Sequence, residues 1–374
     1  MNINKWTIAL AAAGVVSLAS VTNAQEAKET VKTLAASTTL SGYVSTSVNW
    51  SPGSTGGFRD QSYTFNSGKN DRVALDVVSL TFASKAGEGE WAAGYKAQIW
   101  AGPDAATLGT ADSGADFAIK NAYVSLRTPL GSGVDLKLGV FDPITGYEST
   151  DRNVNPFYSH SWSLIMQPRA YTGLLASYRI SDAISLSAGI ANTRGNTING
   201  APENNSRKTY TAAVALVAPD SFGFLKGASV TGGWLSGRLD GGGASTSLDY
   251  IYVGGTIPLP IKDLSLGVAW DDLYYDGGSD TSVVAGYLSY KVNDKLTANT
   301  RVEYLDVGAV VFGSTGVGGV PIGSELLSTT VGLDYKLWAN VTSRVEYRLD
   351  SSMDSEINGR KHNQSVTANV IYNF

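Results

Sequence analysis

The chain closes on NQSVTANVIYNF, residues 363–374, and the reading of this stretch decides the fold. Val366, Ala368, Val370, Tyr372 and Phe374 fall on one side; Thr367, Asn369 and Asn373 fall on the other, with Ile371 out of pattern. Side chains alternate with a period of two in a strand and of 3.6 in a helix, so this is a strand. A strand that runs to a bare terminal aromatic needs a neighbour for its free edge. The same alternation opens the region beyond residue 38, and strand 39–50 is the natural partner.

Working backwards, runs of alternating residues recur at 39–50, 73–84, 91–101, 116–127, 134–142, 169–180, 184–193, 208–217, 228–237, 248–257, 264–274, 281–292, 296–306, 326–337, 341–349 and 364–374. Glycine, asparagine, aspartate and proline separate them. Some faces are clean. VDLKLGVF sets Val134, Leu136, Leu138 and Val140 opposite Asp135 and Lys137, and LLSTTVGLDYKL sets Val331, Leu333, Tyr335 and Leu337 opposite Asp334 and Lys336. Strands 73–84, 116–127 and 248–257 alternate poorly and leave their faces open.

The connections carry the sharper signal. Long ones (51–72, 102–115, 143–168, 194–207, 307–325, 350–363) alternate with short ones such as PLGSG, SDA, NDK and WAN; 218–227 and 275–280 break the trend. Short turns at one end and long loops at the other mark a transmembrane barrel. The expected fold is therefore all-β: an antiparallel transmembrane barrel of about sixteen strands over 39–374, with short periplasmic turns and long extracellular loops. Closure satisfies every backbone N–H and C=O without water, which hydrocarbon cannot supply. It also explains a mean hydropathy of only −0.05, because each strand shows lipid half its side chains. Trp50, Trp91, Trp100, Trp234, Tyr274, Tyr275, Trp338 and Tyr372 recur near strand ends, as aromatic girdles require.

The N-terminus reads as an export leader. Residues 1–24 hold Lys5, an apolar run and a small-x-small site at Thr22-Asn23-Ala24, too short to span a bilayer as a helix. Residues 25–38 are the only helix-like stretch, a periplasmic linker or short helix. With 0 Cys and 2 His there is no basis for disulfides, a thiol nucleophile or a metal site, and no cofactor is expected. A net charge of −5 argues against nucleic acid as a partner.

Two repeats of one pattern, TRVEYLD (300–306) and SRVEYRLD (343–350), put Val302, Tyr304, Val345 and Tyr347 toward lipid. Arg301, Glu303, Arg344, Glu346 and Arg348 then face the lumen, since an arginine at the midplane of the lipid face costs about 2–4 kcal/mol. Lys96, Asp135, Lys137, Arg179, Asp334 and Lys336 join them by alternation. Adding Lys291 to the cations and Asp249 and Asp271 to the anions gives a near balance; the loop carboxylates and the acidic total lean toward cation passage.

The longest connection, PITGYESTDRNVNPFYSHSWSLIMQP (143–168), is dense in aromatics and carries Glu148, Asp151, Arg152 and His160. A loop of this length and composition is expected to be functional. It is expected to fold into the barrel and narrow the pore, with Glu148, Asp151 and Arg152 as constriction residues; the plainer alternative is a loop packed on the outer surface. His160 lies between Ser159 and Ser161, but neighbouring side chains diverge and no G-x-S-x-G elbow occurs, so no catalytic residue is assigned.

With these features in hand, the chain resembles the outer-membrane porins, and more narrowly the OmpL-like β-barrel porin group. The resemblance covers about 39–374. It is strongest over 117–193, where FAIKNAYVSLRTPLGSGVDLKLGVFDPITGYE leads through an N-P-rich loop to the TGLLASY strand. It implies a Gram-negative outer-membrane location and passive diffusion of small hydrophilic solutes and ions. It further implies outer-membrane lipid and lipopolysaccharide as surroundings, a possible homotrimer, and assembly by barrel machinery that reads the C-terminal aromatic, here Phe374 with Tyr372 and Val370. The arginine ladder of enterobacterial porins is missing, so their constriction details do not carry over. A non-channel barrel, acting as adhesin or envelope scaffold, is the alternative reading.

Overall fold

A computed structural model describes residues 38–374 apart from 52–68, 88, 90, 111–114, 202–206, 242–243, 277–279, 309–315, 318–319, 322–323, 355 and 357–359. The leader 1–24 and nearly all of the 25–38 segment lie outside the described residues. The elements run β1 (Thr39–Trp50), β2 (Arg72–Ser84), β3 (Ala92–Ala101), α1 (Pro103–Leu108), β4 (Phe117–Thr128), β5 (Val134–Phe141), α2 (Trp162–Met166), β6 (Tyr171–Arg179), β7 (Ile184–Ala191), β8 (Thr209–Val217) and β9 (Ser229–Gly241). They continue β10 (Ala244–Pro258), β11 (Leu264–Tyr275), β12 (Thr281–Lys291), β13 (Leu296–Val307), β14 (Gly316–Val317), β15 (Val320–Pro321), β16 (Ser324–Trp338), β17 (Val341–Ser352) and β18 (His362–Asn373).

All of these strands except the small β14–β15 hairpin form one closed barrel of sixteen, each antiparallel to its neighbours in chain order. Closure is made where β1 meets β18, from Tyr43↔Asn373 to Trp50↔Val366. Phe374 extends that seam by one residue: its N–H donates to the Gly42 carbonyl and the Gly42 N–H donates to its carbonyl, both at 3.0 Å. Its ring lies over Gly42 and stacks on Tyr372 at 6.3 Å. A Cβ at Gly42 would sit 2.1 Å from the Ser79 carbonyl oxygen and 2.7 Å from the Phe374 ring, so glycine is what the seam admits.

Alternation sets the two faces of the wall. On β13 and β17 Val302 (43 %) and Val345 (54 %) are exposed outward, while Arg301, Glu303, Glu346 and Arg348 are buried inward. Ile371, the misfit of the terminal strand, points inward with the polar set and is buried beside Tyr43 and Trp100.

Several expectations are corrected. Trp100 belongs to no girdle: it follows Gln98 inward and is fully buried. Asp249 faces outward, between the inward Leu248 and Tyr250, near the long-loop end of β10. The expected loop 238–247 is largely strand, because β9 and β10 stay paired up to Gly241↔Ala244. Segment 25–38 is not the only helix-forming stretch, since α1 and α2 are short helices inside long connections. The poor alternation of 73–84 and 116–127 has a cause. A register shift between β1 and β2 leaves Asp76 as an extra residue, and another between β3 and β4 does the same for Lys120. A bulge turns two successive side chains to one face, here Asp76 with Val77 and Lys120 with Asn121.

Candidate functional site

The connection between β5 and β6 does not stay at the rim. It leaves β5 with Gly146 at φ 113°, where a Cβ would collide with the Gln167 side chain. It then crosses to β13, β16 and β17. Counting around the sheet, β13 is eight strands from β5 in a barrel of sixteen, so the segment spans the interior from one wall to the opposite one.

Its middle is held by two sets of charges. In the first, Glu148 accepts from Arg301 Nη1 at 2.7 Å, from the Tyr287 hydroxyl at 3.1 Å and from the Ser161 N–H at 2.9 Å. Arg301 also pairs with Glu303 at 2.8 Å, donates to the Ser159 carbonyl at 3.0 Å and lies 4.9 Å over the Phe157 ring. Glu303 accepts from the Trp162 N–H at 2.8 Å, and Glu346 accepts from the N–H groups of Tyr158 at 2.6 Å and Ser159 at 3.1 Å. Arg348 donates to the His160 carbonyl at 2.9 Å and pairs with Asp350; Arg344 donates to the Asn155 carbonyl at 2.7 Å and pairs with Asp334. Most of these donors and acceptors are loop backbone groups, so the wall supplies the partners that an irregular buried segment lacks.

In the second set Arg152, fully buried, bonds Asp104 of α1 at 2.5 Å and covers the Tyr158 ring at 4.1 Å. Lys69 bridges Asp104 and Asp76, and Asp76 also accepts from Ser45, Ser47 and the Tyr158 hydroxyl, each at 2.8 Å. Asp151 accepts from Gln98 at 2.8 Å and Tyr43 at 3.1 Å, and Lys120 pairs with Asp142. Lys69, Asp76, Asp104, Lys120 and Asp142 escaped sequence reading: they lie in connections or at the two bulges, and what joins them is contact across the lumen.

Apolar packing completes the arrangement. Phe157, Trp162, Ile165 and Met166 join Leu235, Tyr250, Ala269 and Leu305 of the wall in one buried cluster. Ser161 caps α2 by accepting from the Leu164 N–H at 3.2 Å, and the Trp162 indole donates to Ser328 at 2.7 Å.

The remaining residues read from sequence lie on the same inward face. On β5, Asp135 pairs with Arg127 at 3.1 Å, and the Lys137 ammonium lies 5.1 Å over the Tyr123 ring. Lys96 stands beside Tyr123 in register. Arg179 bonds Asp182 at the short-turn rim, where Lys336 is also exposed.

Burial alone would raise the Glu148 carboxyl, but Arg301, His160 and the Ser161 N–H hold it down at about 2. Burial pushes His160 down to about 4 despite the Glu148 carboxylate beside it, so it is neutral at pH 7. Its Nδ1 lies 3.5 Å from Glu148. Ser159 and Ser161 are engaged with Arg301 and Leu164, so this histidine sits in a loop-holding arrangement rather than facing a serine nucleophile. Beneath the loop, toward the short turns, lies a cavity of about 570 Å³ whose wall includes Tyr147, Tyr252, Tyr287, Lys291, Lys336 and Arg344.

Comparisons with known proteins agree with this architecture. Solved structures with the same fold include an anion-selective porin from Comamonas acidovorans (15% identity, 90% of this chain and 99% of that one, TM-score 0.62). Salmonella typhi OmpF in complex with daunomycin matches at 11% identity (90% and 97% covered, TM-score 0.61), and the outer-membrane channel DcaP of Acinetobacter baumannii at 12% (90% and 97%, TM-score 0.59). A search of curated protein sequences finds no match. The family model described as "Putative beta-barrel porin-2, OmpL-like" matches residues 37–374, essentially the whole barrel. The chain belongs to this OmpL-like β-barrel porin family of the Gram-negative outer membrane.

Proposed function

We propose that the protein is a channel for passive diffusion of small hydrophilic solutes and ions, narrowed by the loop 143–168. The observation that carries this reading is the path of that loop from β5 across to β13 and β17, fixed there by Glu148, Arg152 and Arg301. An export leader at 1–24, a periplasmic 25–38 linker, a homotrimer, contact with lipopolysaccharide and a barrel-assembly signal in Val370, Tyr372 and Phe374 belong to the same proposal. One of the structural neighbours, OmpT of Vibrio cholerae, is described in a trimer form.

One observation favours the second reading, a barrel without an open pore. At the level of the loop every strand presents a buried inward residue. Ser47, Val77, Gln98 and Asn121 lead into Phe141, Leu175, Ser187 and Thr211; Leu235, Tyr250, Asp271 and Val283 lead into Glu303, Ser328, Arg348 and Thr367. Single-channel recording in planar bilayers separates the two, using the wild type and a deletion of 148–162. Conductance in the wild type that increases on deletion supports a constricted channel. A silent wild type with a conducting deletion means that the loop closes the barrel at rest. Silence in both, with heat-modifiable migration in SDS gels proving a folded barrel, refutes the channel.

A further inference from the structure

We infer that the cavity on the short-turn side of the loop is an anion-accepting chamber that makes the pore anion-selective; this rests on the channel reading above. The argument is one of charges that remain after pairing. The carboxylates of the chamber wall each have a cation. Glu148 holds Arg301 at 2.7 Å, Asp294 holds Lys291 at 2.7 Å, and Asp334 holds Arg344 at 2.7 Å. Two further cations line the same space, Lys295 on the turn after β12 and Lys336 on β16, and neither makes an ion pair among the described residues. Lys336 also acts on Asp294, whose carboxylate is already bonded to Lys291. Both lysines are exposed, so their ammonium groups meet any solute that enters from this side.

The rest of the wall suits a hydrated anion. Asn373 lines it with an amide group and Ser289 with a hydroxyl; Asn153, which donates one N–H to Asn373 at 3.0 Å, keeps a second, and Tyr147, bonded to Thr256 at 2.9 Å, stacks on Tyr287 at 4.3 Å. A volume of about 570 Å³ admits a small organic anion with its water. The lean toward cations taken from the acidic total is thereby reversed. Two buried inward carboxylates are spent elsewhere: Glu346 on loop N–H groups, and Asp271 on Ser163, Gln167 and Tyr250. Uncompensated charges of one sign lining a passage bias the ions that enter it.

The test is the reversal potential in a KCl gradient across a planar bilayer. The wild type should show a Cl⁻/K⁺ permeability ratio of about 2 to 5, as expected for two unpaired charges acting through water at several ångströms. Lys295→Glu/Lys336→Glu should carry the ratio below 1. Lys226→Glu, on a neighbouring turn outside the chamber, should leave it unchanged. A wild-type preference for K⁺, or an unaltered ratio in the double variant, overturns the chamber while leaving the channel in place. A silent wild type removes the channel instead. In that event phosphorus NMR of inorganic phosphate with the detergent-folded barrel decides the chamber alone: line broadening that the double variant abolishes supports it, and equal widths overturn it. Heat-modifiable migration of each variant confirms that the barrel has formed.

Discussion

Removing Arg301 should release the loop without opening the wall. The guanidinium is fully buried and serves Glu148, Glu303, the Ser159 carbonyl and hydroxyl and Thr330, while lying over Phe157. Truncation to alanine strands two carboxylates in a buried place. Breaking a buried pair in this way costs about 3–5 kcal/mol. The lower end is appropriate here, because Glu303 keeps Arg348 at 3.5 Å and Glu148 keeps His160, which gains a reason to take up a proton. Backbone pairing of β13 with β12 and β16 does not involve the side chain, so the penalty falls on loop docking. At 1.4 kcal/mol per decade, 3 kcal/mol raises the undocked population roughly 10²-fold. The natural chain has 0 Cys, so a single Thr150→Cys substitution reports that population. Thr150 is buried and its hydroxyl makes no hydrogen bond among the described residues, which keeps the probe mild. Thiol labelling of Thr150→Cys should accelerate about 10²-fold in the Arg301→Ala background, with heat-modifiable migration retained. A change below about threefold would refute the view that this arginine holds the loop.

Acid should loosen the same loop in two stages. His160 is held below its ordinary value, at about 4, so its contribution is complete above pH 6.5 and is lost as pH falls toward 4; the span corresponds to about 3 kcal/mol. Glu148, held at about 2, adds a second loss below pH 4.5. Labelling of Thr150→Cys, normalised to the unfolded chain, should therefore rise below pH 6.5, and His160→Gln should remove that first rise; a rate independent of pH from 7 to 4 contradicts the assignment. Gly42→Ala should cut the yield of heat-modifiable barrel sharply, because the added Cβ meets the Ser79 carbonyl at 2.1 Å, and normal assembly would show that the seam tolerates more than its geometry allows. Deleting Phe374 removes two backbone hydrogen bonds and the stack on Tyr372 but leaves the β1–β18 ladder, so a slower yet complete folding in vitro is expected. Val302→Arg should destabilise the barrel by about 2–4 kcal/mol in a lipid-bilayer unfolding titration, and a cost near zero would place β13 out of register.

How much of this could be read in advance follows from how local the causes are. The faces of 326–337 and 341–349 were plain because a period of two needs no knowledge of neighbours. Asp76 and Lys120 were hidden by the bulges that make them useful: each bulge breaks the period at the residue it turns inward. Trp100 misled because an aromatic at a strand end suits a girdle, yet its parity matches Gln98, and parity overrides residue type. Glu148 and Arg152 stood out as charges in an aromatic loop. Their partners did not, since Glu148 meets Arg301 across 153 residues of sequence and Arg152 meets Asp104 across 48.

The interior also shows why such a loop uses charge so heavily. Burying an ion pair adds little net stability, because desolvation offsets attraction. Phe157, Trp162, Ile165 and Met166 supply the apolar burial, and they would accept many placements against Leu235, Tyr250 and Ala269. Charges do not. Glu346 receives two consecutive N–H groups, Arg301 reaches Glu148 and Ser159 together, and Arg152 must meet Asp104 on α1, in a different connection. A loop displaced by one residue leaves each of these buried and unpaired, at several kcal/mol apiece. Apolar contact thus draws the loop into the barrel, and the ionic set fixes where it stops. Replacing Arg301 and Glu148 together with Met and Gln should accordingly destabilise docking less than Arg301→Ala alone, while broadening the distribution of single-channel conductance levels. A double variant with one sharp level would show that apolar packing suffices to place the loop.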